Sequence, residues 1–225
     1  MRIDRIDIYR VCNPIKAPYT TAFGTAQAFN AILVKLTSGE QDGWGEAAPW
    51  AFPGFSAEYD VTAFHTAREF LAGLLVGREV ATGESLQAIF SAVKGNNFAK
   101  AAFDLAWWDL AARMAEQPFW KMIGGTGEEV TAGTAIGVLT SLDELMTRIQ
   151  SLIDTGYPRI KLKYCPGWGL EMVKAVRTTF PDLVMHIDCN SAYTLADAEM
   201  FRRLDQVDLA MIEQPLMHDD LIDHA

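Results

Sequence analysis

Lys163, Asp188 and Glu213 follow one another at intervals of 25 residues. Each stands at or near the end of a short run rich in β-branched and aliphatic residues. One strand–helix unit of a parallel sheet takes roughly 25–30 residues, so three successive strands deliver one ionisable group each to the same rim. Asp188 and Glu213 on neighbouring strands suit a hard divalent cation, because Mg²⁺ takes oxygen ligands and keeps waters that a substrate can displace. Asn190, two residues past Asp188, is placed to add an amide oxygen or to support a ligand from behind. Lys161 shares a strand face with Lys163, since alternate residues point the same way. Ile160 and Leu162 take the other face, where packing helices belong, which turns both lysines toward the interior.

Paired ammonium groups, or an ammonium beside a metal, depress a lysine pKa. A depressed lysine works as a general base near neutral pH. The implied chemistry is proton abstraction next to a carboxylate: the cation binds the carboxylate, lysine takes the proton, and the enediolate is held by cation and second lysine. Either carboxylate alone reads more readily as a strand-end residue capping the next helix or turn. Both in phase with Lys163 read as a site.

The elements that must position these groups begin after about Val130. Strands are expected at 134–139, 159–164, 183–188 and 209–213. Helices are expected at 142–154, 170–179 and 195–204, with another starting at Asp219. Ser141 and Glu144 form a capping box for the first of these helices. This alternation predicts a parallel sheet. The first 50 residues read instead as an antiparallel meander, with a loop at 18–25 between its first two strands and a turn at 37–43. Residues 51–120 read as helices: Val61, Phe64, Ala67, Leu71 and Leu74 share one face, with Ser56 as N-cap and Gly77 as stop. Phe98, Ala102, Leu105, Trp108 and Ala112 share another, and Phe103, Trp107 and Trp108 are core aromatics.

Composition bounds the function. The 225 residues carry 19 Lys plus Arg against 29 Asp plus Glu, a net charge of −10. That balance argues against a phosphate-backbone or anionic-lipid partner. No apolar run approaches the ~18 residues of a membrane helix, and the N-terminus lacks a signal-peptide pattern. Cys12, Cys165 and Cys189 form neither a disulfide framework nor a zinc motif. A cytoplasmic protein is expected. His65 is read as surface, His186 as facing either way, His218 as following the fourth strand end without taking part in the site, and Asp109 as a structural hydrogen-bonder.

At the chemistry-bearing residues the chain becomes recognisable. Ile160-Lys161-Leu162-Lys163, Asp188-Cys189-Asn190-Ser191-Ala192-Tyr193-Thr194-Leu195 and Ile212-Glu213-Gln214-Pro215-Leu216 resemble the enolase superfamily, in its muconate-lactonizing group. Pro166-Gly167 and Asp219-Asp220-Leu221 narrow the resemblance to o-succinylbenzoate synthases and N-acylamino acid racemases. Phe23-Gly24-Thr25, Gly43-Trp44-Gly45-Glu46 and Trp108-Asp109-Leu110 are similar to that family's capping domain and linker helix. Lysine bases beside Mg²⁺ are established chemistry for enolase-type sites, so that pairing comes with the resemblance.

The resemblance implies an α/β plus α+β chain: an antiparallel-sheet and helix capping domain over 1–125, then a partial βα barrel of TIM type over 126–225. It makes Lys163 the acid/base lysine, Lys161 its electrostatic partner, and Asp188 and Glu213 ligands of Mg²⁺, with Mn²⁺ as the alternative. Asn190, Tyr19, Thr20, Phe23, Gly24 and Phe55 become substrate-binding residues, the first loop and Pro53-Gly54-Phe55 shaping specificity. The implied reaction is a carbon–oxygen lyase step of menaquinone biosynthesis on a small carboxylate, with N-acylamino acid racemisation as the rival. The family's third acidic ligand and second lysine, by the same 25-residue step, would fall near ~238 and ~263. The chain is therefore expected to be part of a longer protein, or else an inactive fragment. Half a parallel sheet exposes an edge and an apolar face, so a homo-oligomer is expected.

Overall fold

The computed structural model describes residues 1–21 and 24–225. The chain divides into two compact units: Met1–Ala17 with Gln27–Glu128, and Pro18–Ala26 with Glu129–Ala225.

In the first unit β1 (Arg5–Thr21), β2 (Gly24–Ser38) and β3 (Gln41–Ala47) form one sheet in that order, β2 and β3 antiparallel. Of the expected loop at 18–25, the described residues are strand: β1 runs to Thr21 and β2 begins at Gly24, as the threonines there favour extended backbone. Ile32, Val34 and Leu36 alternate inward and are fully buried. On β3 the inward positions are Gly43 and Gly45. A Cβ on them would overlap the carbonyl oxygens of Ala106 and Ala102 respectively. Only glycine lets α4 (Asn97–Met114) lie so close. The Gly-Trp-Gly run is therefore a packing device. Trp44 N–H donates to Asp109 Oδ2 at 2.8 Å, so Asp109 is indeed structural.

Asn96 precedes α4 in a left-handed conformation and offers no side-chain cap. Glu58 caps it from 40 residues away, accepting from Phe98 N–H at 2.9 Å and Ala99 N–H at 3.1 Å. The helix expected from Val61 to Leu74 is α1 (Asp60–Thr66), a π-turn (Ala67–Leu71) and α2 (Ala72–Leu75). A π-turn adds a residue to the turn and rotates the inward face. Val61 is exposed, not core. Ser56 does not cap; its hydroxyl donates to the Glu58 carbonyl. Sequence reading passed over α3 (Gly83–Phe90), whose start Thr82 and Ser85 cap reciprocally. A short α5 (Phe119–Met122) follows α4.

The second unit holds β4 (Gly133–Ile136), α6 (Leu142–Asp154), β5 (Arg159–Lys163), α7 (Leu170–Thr179), β6 (Val184–Asp188), α8 (Ala198–Leu204) and β7 (Met211–Glu213). Its four strands are parallel in the order β4-β5-β6-β7. Ile160, Leu162, Met185 and Ile187 are buried on one face with Ile149, Val173 and Val176 of the helices. Ser141 caps α6, but Glu144 reaches Thr140 rather than Ser141, so the expected box is half formed. Residues 219–225 form turns, not the expected helix; His224 accepts the Leu216 N–H there. No described helix is long and apolar enough to cross a membrane.

Candidate active site

The β5–β6–β7 register puts Lys163 opposite Asp188, and Asp188 opposite Glu213. Paired residues of parallel strands share a face, so the three stand in one row at the C-terminal ends of their strands. One row below, Lys161 pairs with His186. The face opposite is the buried apolar one, so both lysines turn away from the helices as expected.

Asp188 is buried and sits between two ammonium groups. Its Oδ2 lies 2.7 Å from Lys161 Nζ and 2.7 Å from Lys163 Nζ. Its Oδ1 accepts the Asn190 N–H at 2.9 Å. Burial is the largest influence on this carboxyl and pushes it up. The hydrogen bonds from Lys161 and Lys163, the charge of Lys163 and the Asn190 amide together outweigh it, and Asp188 is held below its ordinary value. Lys161 Nζ also donates to Glu213 Oε2 at 2.7 Å. Burial pulls Lys161 down, but its hydrogen bonds to Asp188 and Glu213 win and raise it. The expected depression of both lysines fails at Lys161, because two carboxylates face that ammonium. Lys161 is a standing positive charge.

Lys163 Nζ also donates to Asn190 Oδ1 at 2.7 Å. Asn190 is therefore turned onto the lysine. It can do this because its backbone is left-handed, at φ 47°, where Asn is among the residues that fit best. Ser191 and Gln214 are left-handed too. The parallel ladder continues through these kinks: Cys189, Ser191 and Tyr193 N–H groups donate to the carbonyls of Glu213, Gln214 and Pro215 at 3.0, 2.8 and 3.1 Å. Backbone strain of this kind gathers at functional sites. Sequence reading missed that role for Ser191 and Gln214, and no residue type announced it.

His186, left open in the sequence, points to the lysine side, with Nε2 3.8 Å from Glu213 Oε2. Burial and then Lys161 lower it, which favours the neutral ring. His218 is exposed. Tyr19 and Thr20 belong to the same unit as the lysines. Burial raises the Tyr19 phenol, with Lys161 pulling it down and Asp188 pushing it up, so the ring feels both charges. Gly24 opens β2 at φ 131°. Phe23 lies outside the described residues. Phe55 falls in the first unit, where its side chain is half exposed.

Among the described residues no three His, Cys, Asp or Glu side chains converge on one point. Two carboxylates do address one cation-sized point, since Lys161 Nζ stands 2.7 Å from an oxygen of each. The donors are hard oxygens, with the Asn190 amide beside them. The set fits Mg²⁺ or Mn²⁺ with water completing the shell.

Residues 5–124 match the family described as mandelate racemase / muconate lactonizing enzyme, N-terminal domain. The chain belongs to that family. Residues 144–225 match the enolase C-terminal domain-like family, which places the site row in the superfamily's barrel portion. An o-succinylbenzoate synthase of Geobacillus kaustophilus is 42% identical over 212 residues, covering 94% of this chain and 56% of that protein. An N-succinylamino acid racemase of Amycolatopsis is 35% identical, covering 100% and 61%. A solved enolase-superfamily member from Listeria innocua superposes with a TM-score of 0.94 at 35% identity, again covering 100% and 61%. The chain thus spans a little over half the length of these relatives.

Proposed function

We propose that this family member abstracts the proton next to a carboxylate on a small substrate, and that its reaction is o-succinylbenzoate synthesis by elimination of water. The observation that supports this best is the Lys163 ammonium nitrogen held between Asp188 and Asn190, in the row where Asp188 meets Glu213. Asp188 and Glu213 would hold a divalent cation, Mg²⁺ or Mn²⁺, which when bound supplies positive charge to the substrate carboxylate.

Lys163, acting as the neutral amine, takes the proton from the carbon, the electron pair expels the neighbouring hydroxyl, and the Lys163 ammonium so formed gives its proton to that hydroxyl so that water leaves. Lys161, held cationic by its two carboxylates, faces the charge that develops on the substrate oxygens. Asn190 orients Lys163. Tyr19 and Thr20 wall the substrate. The partner is a small carboxylate, in a cytoplasmic setting, and the protein self-associates; sedimentation tests the last point.

The relatives named as racemases favour a second reading, 1,1-proton transfer on an N-succinylamino acid. Racemisation needs bases on both faces of the carbon. Lys161 and Lys163 lie on one strand and one face and so supply a base for one face of the carbon; elimination is put first because the synthase relatives, at 42% and 40% identity, are more similar to this chain than the racemase at 35%.

The experiment is a pair of assays. One follows the absorbance of o-succinylbenzoate formation. The other follows deuterium uptake by an N-succinylamino acid in NMR. Aromatic product with Mg²⁺ supports the first reading. Uptake without aromatic product supports the second. Neither, in a chain extended to the relatives' length, would sink both.

A further inference from the structure

Gly137 follows the last residue of β4. The register Ile136 to Leu162 carries it level with Lys163, and strand alternation turns its missing side chain to the lysine face. That space is filled by main chain from the end of β1. A Cβ on Gly137 would stand 3.0 Å from the Thr20 carbonyl oxygen, 3.5 Å from the Thr20 nitrogen and 3.5 Å from Tyr19 Cδ2. The next residue fastens the contact: Val138 N–H donates to the Thr20 carbonyl at 3.1 Å.

We infer that Gly137 is a positioning residue: its bare α-carbon lets the Tyr19–Thr20 main chain seat beside Lys163, and so sets how close the substrate wall stands to the base. The inference rests on the proposed reading for what that wall touches. The reason is steric. The nearest atom is a backbone oxygen, which cannot rotate away as a side chain would, so a methyl group presses the Thr20 main chain to give by a few tenths of an ångström. Gly133, four residues earlier on the same strand, provides the contrast. A Cβ there meets the Arg159 guanidinium at 2.7 Å, the far end of a flexible side chain that can swing aside.

The test labels the six tyrosines with 3-fluorotyrosine and follows them by fluorine NMR, with Tyr19→Phe assigning the Tyr19 signal. Tyr164 and Tyr193, stacked in the core of the same unit, report on folding. Gly137→Ala is expected to shift or broaden Tyr19 while Tyr164 and Tyr193 stay in place. Gly133→Ala should move none of the three. An unmoved Tyr19 in Gly137→Ala overturns the inference, as does an equal shift in Gly133→Ala.

Should Gly137→Ala lose the Tyr164 and Tyr193 signals, amide exchange in the unmodified protein decides. The Val138 amide is expected to exchange at least about tenfold more slowly than an open amide, and an unprotected Val138 overturns the docking. Where turnover is measured, Gly137→Ala should raise KM about tenfold and leave kcat within about twofold. An equal fall in kcat would show damage to the base instead. The fluorine and exchange measurements need no turnover. Inactivity in a chain extended to the relatives' length therefore counts against the proposed reaction and leaves the Gly137 contact to be judged on its own.

Discussion

Two aspartates are almost wholly buried, one in each unit, and they do different things. Asp60 opens α1 in the first unit. Its Oδ2 accepts from Arg10 Nε at 2.8 Å, Arg10 Nη2 at 2.5 Å and Asn30 Nδ2 at 2.8 Å, while Oδ1 takes the Val61 N–H. Asp188 ends β6 in the second unit and accepts from two lysines and the Asn190 amide. Burial and pairing are alike at the two places; the donors are not. A guanidinium keeps its protons at any working pH, and an amide has none to give, so the Asp60 cluster ties β1 and β2 to α1 and is chemically inert. A lysine can part with a proton. Asp188 also has a second carboxylate as its register partner, whereas the groups bonded to Asp60 are all donors. A buried, bonded carboxylate is thus a poor marker of a site until the chemistry of its partners is read.

Substitutions can break this distinction. The largest effect is expected at Lys163. Lys163→Ala should cost about 10²–10⁴ in proton exchange at the substrate carbon, the usual worth of a positioned base. Lys161→Arg, which keeps the charge, should cost far less. Deuterium uptake at the wild-type rate in Lys163→Ala would remove the base assignment.

Next come the aspartates themselves. Asp188→Asn should weaken Mn²⁺ binding in calorimetry by about tenfold or more, since it removes one of two charged ligands. Asp60→Asn should leave that affinity unchanged and lower stability by about 2 kcal/mol, as expected for bonds to a charged group. Equal loss of Mn²⁺ affinity in both would erase the contrast.

Glu58→Ala should lower stability by about 1 kcal/mol through loss of the α4 cap, read as a lower thermal midpoint. The smallest effect concerns acid. Asp188 has a lower pKa folded than unfolded, so the unfolded chain takes up that proton first as pH falls. Its contribution to stability is present above the unfolded value and lost as pH drops through the folded one. The stability gap between wild type and Asp188→Asn should shrink as the pH falls below about 4, the ordinary aspartate value. A gap that widened there would reverse the sign.

The row of Lys163, Asp188 and Glu213 was legible because strand–helix units have nearly constant length, so phase survives in sequence. The strand faces were legible at Ile160 and Leu162 for the same periodic reason. What stayed hidden depends on long-range geometry. Glu58 caps a helix 40 residues on, and nothing at positions 96–99 announces it. The π-turn leaves a helical pattern that looks regular until the inward face is seen to rotate. The raised pKa of Lys161 follows from Asp188 and from Glu213, 52 residues away; counting the lysines alone gave the wrong sign. Gly137 looked like any strand-end glycine until Thr20 was seen to occupy its side-chain space.

The ion pairs of the active row join residues 25 and 52 positions apart. No local fragment can make them, because each needs a strand, a crossover helix and the next strand already in place. Contacts of such separation close late in folding. α6 and α7 can dock on β5 and bury their apolar faces while Asp188 and Glu213 are still apart. The pairs of Lys161 and Lys163 with Asp188 need only β5 and β6 side by side, whereas the Lys161–Glu213 pair waits until β7 settles beside β6.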